Sequence, residues 1–152
     1  MKLHFPSQKK TLFAFFCVLA LANPTFAAAA AGGDLKVGMV TDVGGVNDQS
    51  FNQSAWEGLQ KAKKDLGVKV SYQESKQDAD YQANLETLYD AKNDLIWGIG
   101  FKMADAILKA AKQNPKQKYA IIDFFFFFKT PPNVVGVMFK AEEGAFLAGY
   151  IA

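Results

Sequence analysis

TDVGGVNDQSFNQSAWEG, residues Thr41 to Gly58, joins a short apolar strand to a long amphipathic helix, and the rest of the chain is organised around that junction. Upstream, Lys36 to Thr41 (KVGMVT) is a Val-containing apolar run of the length of a buried strand. Downstream, Ala55, Leu59, Ala62 and Leu66 recur at helical spacing, while Glu57, Lys61, Lys63, Lys64 and Asp65 supply a wet face and Gly67 a stop. At the junction, Ser50-Phe51-Asn52-Gln53 fits a capping box, which predicts Ser50 as the N-cap with the Gln53 side chain reaching back to it. Phe51 and Asn52 then fall in the first helical turn, and Asp42 lies just past the strand.

The alternation continues to the last residue. Val68 to Tyr72 reads as a strand, and Tyr81, Leu85, Leu88 and Tyr89 mark a second helix, with Asp78 or Asp80 as its cap. Leu95 to Gly100 is a third strand, and Met103, Ala106, Ile107 and Ala110 form one face of a third helix that Asn114-Pro115 stops. Tyr119 to Asp123 and, after Pro131-Pro132, Val134 to Phe139 are the fourth and fifth strands, and a further helix starts at Ala141. Strands alternating with helices predict an α/β domain, a doubly wound parallel sheet with four right-handed crossovers. Ligands bind such sheets outside the carboxyl ends of the strands, here Asp42, Gly100 with Phe101, and Asp123.

The first 27 residues read as an address rather than as fold. Lys2, Lys9 and Lys10 precede the apolar run Leu12 to Ala22, and Asn23-Pro24-Thr25-Phe26-Ala27 follows, the plan of a cleavable signal peptide. The run is shorter than the roughly 20 residues a spanning helix needs. A periplasmic or otherwise extracytoplasmic location is expected, with Ala28 to Gly33 as a disordered tail and residues 34–152 as the folded unit. A lipid anchor at Cys17 is disfavoured because Phe15 and Phe16, not small residues, precede it.

Removing the leader takes three of the 17 basic residues and none of the 15 acidic ones, so the basic balance disappears and no basic run remains to bind nucleic acid. All basic residues are Lys. Without an Arg fork the chain lacks the usual bidentate clamp for phosphate, which favours an uncharged ligand. Cys17 and His4, the chain's single Cys and single His, both lie in the leader. Cys- or His-based catalysis and metal ligation are thereby excluded from residues 28–152, and neither a cofactor nor a metal is expected.

Each candidate has a plainer reading beside the functional one. Phe51 either offers a ring at the strand-end rim or begins the apolar stripe four residues before Ala55. Asn52 carries a donor and an acceptor on one amide, suited to one edge of a heterocycle, or is a solvated helix-start residue. Asp42 can hold two sugar hydroxyls or order the Gly44-Gly45 turn. Asp123 follows apolar residues at a strand end, where a charge is costly unless paired. Gly98-Ile99-Gly100 opens like a dinucleotide fingerprint, but Met103 stands where its third glycine belongs.

KVGMVTDVGGVNDQSFNQSAWEGL, WGIGFKMADAI, YAIID and VVGVMFKAEEGAFLAGYIA together resemble the basic-membrane-protein family, the nucleoside-binding components of ABC importers. The resemblance implies the flavodoxin-like strand order of a type I periplasmic-binding-protein lobe and a binding rather than catalytic role. It implies a purine nucleoside as ligand and an ABC permease as partner, through which alone the protein meets a membrane. Carried over by position, it makes Phe51 the base-stacking ring, Asn52 the base-edge amide, and Asp42 and Asp123 further ligand contacts. Gly100, Phe101 and Met103 fall in the third strand-end loop. Such proteins have two lobes, and these residues correspond to the first, so residues 1–152 alone are expected to bind more weakly than micromolar. The run Phe124 to Phe128 departs from the family's mixed segment, points to an altered sequence there, and is an aggregation hazard. Other readings are an exported nucleoside- or sugar-cleaving enzyme using Asp42 and Asp123, and a sensor that presents its ligand to a receptor.

Overall fold

The computed structural model describes residues 34–127 and 130–151. The expected leader, Met1 to Ala27, the tail Ala28 to Gly33, and Phe128 of the phenylalanine run lie outside the described residues. In chain order the elements are β1 (Lys36–Val40), α1 (Phe51–Leu66), β2 (Lys69–Gln73), α2 (Asp80–Asp90), β3 (Leu95–Ile99), a 3-10 turn (Phe101–Met103), α3 (Ala104–Gln113), β4 (Lys118–Ile122), β5 (Val134–Val137) and α4 (Ala141–Ile151). All four strand pairings are parallel, in the order β2-β1-β3-β4-β5. This is the doubly wound α/β sheet expected from the alternation, with the flavodoxin-like order.

Side-chain alternation assigns the faces. Gly38 and Gly98 point the same way, because Gly38 pairs with Ile96 and Ile96 lies two residues before Gly98 on β3. A Cβ at Gly38 would meet Leu88 of α2, and one at Gly98 would meet Ile107 of α3, so α2 and α3 cover one face. Trp97 and Ile99 point the other way, towards Ala55 and Leu59 of α1. The core lies mainly under α2 and α3, where Leu85, Leu88, Ile96, Met103, Ile107, Tyr119 and Ile121 are buried. On α1 only Asn52 is fully buried, and no residue of α4 is. Among the described residues, no helix is long and apolar enough to cross a membrane.

Several local expectations are corrected. Three crossovers are helical, but the described residues between β4 and β5 contain no helix. Strand 5 ends at Val137 rather than Phe139, and strand 4 ends at Ile122 because Asp123 turns the chain with a left-handed φ of 63°. The phenylalanine run therefore does not extend β4. Phe124 and Phe126 pack edge to face at 4.8 Å and Phe126 joins the core, while Phe127 remains 84% exposed. Gly136 lets this segment cross β5 closely, since a Cβ there would lie 2.3 Å from the Phe124 carbonyl oxygen. Neither Asp78 nor Asp80 is the N-cap of α2. Ala79 holds that position, and Asp80, already helical, accepts bonds from the preceding Lys76 and Gln77 N–H groups.

Candidate functional site

β1 and β3 are neighbours whose connections leave in opposite directions, α1 leading to β2 and α3 to β4, so their carboxyl ends flank the switch point of the sheet. There Asp42, Phe51, Gly100, Phe101, Lys102 and Asp123 line one open cleft of about 240 Å³. Five of the seven residues nominated from sequence thus share one site, although they come from three separate connections of the fold.

Backbone geometry sets this cleft's floor. Gly100 has φ 103°, a conformation that side chains rarely adopt, and it turns β3 directly into the 3-10 segment. A Cβ there would still have ordinary van der Waals room, 3.8 Å from the Phe51 ring and 3.9 Å from Asp42 Oδ2, which places both groups over the glycine. The Phe51 ring is partly buried and forms a T-shaped pair with Phe139, with ring centres 6.2 Å apart. Its position opens a helix that starts at Phe51, as the sequence implied.

The start of α1 is built differently from the expected capping box. Ser50 makes no side-chain cap, and the Gln53 amide bonds Glu57 instead of reaching back. Asp48 does the capping. Its Oδ1 accepts the Ser50 and Gln53 N–H groups at 2.9 and 3.1 Å, and its Oδ2 accepts the Asn52 N–H and the Asn52 side-chain amide, both at 2.9 Å. Gln49, at φ 54°, folds the loop so that a residue two positions before the N-cap can reach these donors. Partial burial pushes the Asp48 carboxyl up, but the hydrogen bonds from Asn52, Gln53 and Ser50 outweigh it and bring the pKa down to about 2.

Asn52 is 1% exposed, so it is not a solvated helix-start residue. Its Nδ2 donates to Asp42 Oδ1 at 2.7 Å and to Asp48 Oδ2, and its Oδ1 accepts the Asp42 N–H at 3.2 Å. Both amide hydrogens are therefore engaged inside the protein, and the side chain does not line the cleft. Asp42 divides its carboxylate. Oδ1 holds Asn52 and the Gly44 N–H at 2.9 Å, which orders the glycine turn, while Oδ2 faces the space above Gly100. Asp123 is exposed, so the expected cost of a buried strand-end charge does not arise, and its backbone N–H donates to the Val137 carbonyl. Met103 is fully buried in the core and does not reach the cleft.

Sequence reasoning passed over Asp48 and Lys102. Lys102 was signalled by lying between two nominated residues, and Asp48 by being a short acceptor just ahead of a helix start. Among the described residues no three potential ligands converge to hold a metal ion. The cleft offers an aromatic face, one lysine and two carboxylates, a combination that suits a planar group bearing hydroxyls and leaves a net negative charge against phosphate.

The profile of the Bmp family, described as ABC transporter substrate-binding protein PnrA-like, matches residues 35–152. Over 124 residues the chain is 46% identical to the CD4+ T-cell-stimulating antigen of Listeria monocytogenes, a match covering 78% of this chain and 34% of that protein. It is 43% identical over 123 residues to the ABC transporter nucleoside-binding protein BmpA of Lactococcus lactis subsp. cremoris, covering 78% of this chain and 34% of the relative. A crystal structure of an ABC transporter system solute-binding protein from Aeropyrum pernix superposes with a TM-score of 0.71 at 35% identity, covering 78% of this chain and 32% of that one. The chain thus spans about a third of the length of these relatives.

Proposed function

Because the chain belongs to the Bmp family of PnrA-like ABC transporter substrate-binding proteins, we propose that it captures a nucleoside outside the cytoplasm and delivers it to an ABC permease. The observation that carries this reading is the convergence of Phe51 and Asp42 over Gly100, with Asp123 lining the same cleft. Phe51 provides the stacking face for the base, a contact worth about 1 to 3 kcal/mol for each base. Asp42 Oδ2 and Asp123 accept hydroxyl or base N–H donors, and Phe101 borders the opening. A purine is favoured by the resemblance of the strand-end motifs. The nucleoside-binding relative from Lactococcus supports the same ligand class.

An open, one-sided cleft calls for a second wall. A second lobe beyond β5 supplies it in this reading, and it also accounts for α4, whose Phe146, Leu147, Tyr150 and Ile151 are all at least 60% exposed. After Glu142 and Glu143 in its first turn α4 carries no further charge, and a helix segment that is apolar all round is a buried one, so α4 belongs against a partner surface. The signal peptide, the extracytoplasmic location and the permease are parts of the same proposal.

Incubating the full-length protein with inosine or guanosine, then denaturing it and chromatographing what it held, tests the reading. Intact nucleoside in stoichiometric amount is expected. Free base would indicate cleavage through Asp42 and Asp123, and no retained ligand would reject the nucleoside assignment.

A further inference from the structure

Asp48 and Asn52 form a chain of contacts that ends on Asp42. Asp48 Oδ2 holds the Asn52 amide, and that amide holds Asp42 Oδ1 and, through its oxygen, the Asp42 backbone N–H. The arrangement fixes both the main chain and the carboxylate of Asp42, leaving Oδ2 as the oxygen turned towards Phe51 and Gly100. Asn52 cannot rotate freely, because both of its amide hydrogens have carboxylate acceptors and the residue is almost wholly buried. Asp48 in turn is held by three backbone N–H groups of the helix start, so its position is that of α1 itself.

We propose that Asp48 and Asn52 are positioning residues, which transmit the orientation of α1 to the ligand-facing oxygen of Asp42 without touching the ligand themselves. The inference rests on the reading of Asp42 as a ligand contact. It replaces the role of Asn52 as a base-edge reader with one of aiming a carboxylate, and it gives a function to Asp48. Asp48→Asn removes the second carboxylate oxygen and sets an amide N–H₂ against N–H donors, so at least part of the clamp must open.

A thermodynamic cycle in the full-length protein separates aiming from general damage. Inosine affinity is measured by calorimetry for the parent, Asp48→Asn, Asp42→Ala and the double variant, with folding followed by circular dichroism. Asp48→Asn is expected to weaken binding by about tenfold in the parent and by less than about twofold when Asp42 is already Ala. An equal loss in both backgrounds would overturn the positioning role. Should Asp48→Asn fail to fold, Asn52→Ser cuts the side-chain link while leaving the three backbone bonds to Asp48, and the same cycle applies with the same criterion. If Asp42→Ala binds inosine as the parent does, the reading of Asp42 as a ligand contact fails, and this inference with it. That result is distinct from one in which Asp42→Ala is weak and the Asp48 effect persists.

Discussion

Asp48→Asn has a second consequence, in stability, that can be worked from the geometry. Four N–H groups converge on this carboxylate, three from the backbone and one from Asn52. An asparagine has a single acceptor oxygen and cannot satisfy both pairs. The carboxyl pKa falls from 3.8 to about 2 in the fold, so its contribution is complete above the unfolded value and is lost as the pH drops towards the folded one. At 1.36 kcal/mol per pKa unit the ceiling is about 2 kcal/mol, and partial solvent exposure of Asp48 brings this nearer to about 1 kcal/mol. Urea unfolding of parent and variant in parallel, from pH 6 to pH 2.5, measures it. Other carboxylates titrate in both proteins, so the difference between them isolates Asp48. The variant should be less stable at pH 6, and the gap should shrink to roughly half near pH 3. A gap that does not change with pH would refute the account of Asp48 as an ionised cap.

Other substitutions probe separate links. Phe51→Ala should weaken nucleoside binding by roughly 5- to 150-fold, while Phe51→Tyr keeps most of it, both read by calorimetry. Gly136→Ala should lower stability by about 2 kcal/mol or more in denaturant unfolding, because its Cβ would overlap the Phe124 carbonyl. A melting curve unchanged by Gly136→Ala would show that this crossing is not close. Phe127→Ser, at a side chain 84% exposed, should change stability by less than about 0.5 kcal/mol and raise the soluble yield on concentration.

The sheet was legible because it depends on periodicity. Runs such as VKVSY and LIWGIG are bounded by loop residues, and the spacing of Leu85 with Leu88 or Met103 with Ile107 declares which helical face is buried. Strand ends were less legible, since what ends β4 is the left-handed turn at Asp123, a conformation that Asp tolerates and no pattern announces. The helix cap shows the same limit. Ser50 and Gln53 have the right types at the right spacing, but Gln49 folds back and brings Asp48, a stronger acceptor, to the same donors first. Asn52 was found as a distinctive residue at the helix mouth. Its surroundings were not visible, because whether an amide faces a ligand or a neighbouring carboxylate depends on the loop between Asp42 and Asp48. Met103 satisfied two patterns at once, strand-end loop and apolar helix face, and packing placed it with the core.

A crystal structure of the full-length protein grown with guanosine tests the central claim most directly. The account predicts the base lying flat against Phe51, with Asp42 Oδ2 or Asp123 hydrogen-bonded to the nucleoside and Asn52 still turned inward to Asp42 and Asp48. A nucleoside bound elsewhere, or one in this cleft that leaves Phe51 and both carboxylates untouched, would contradict it.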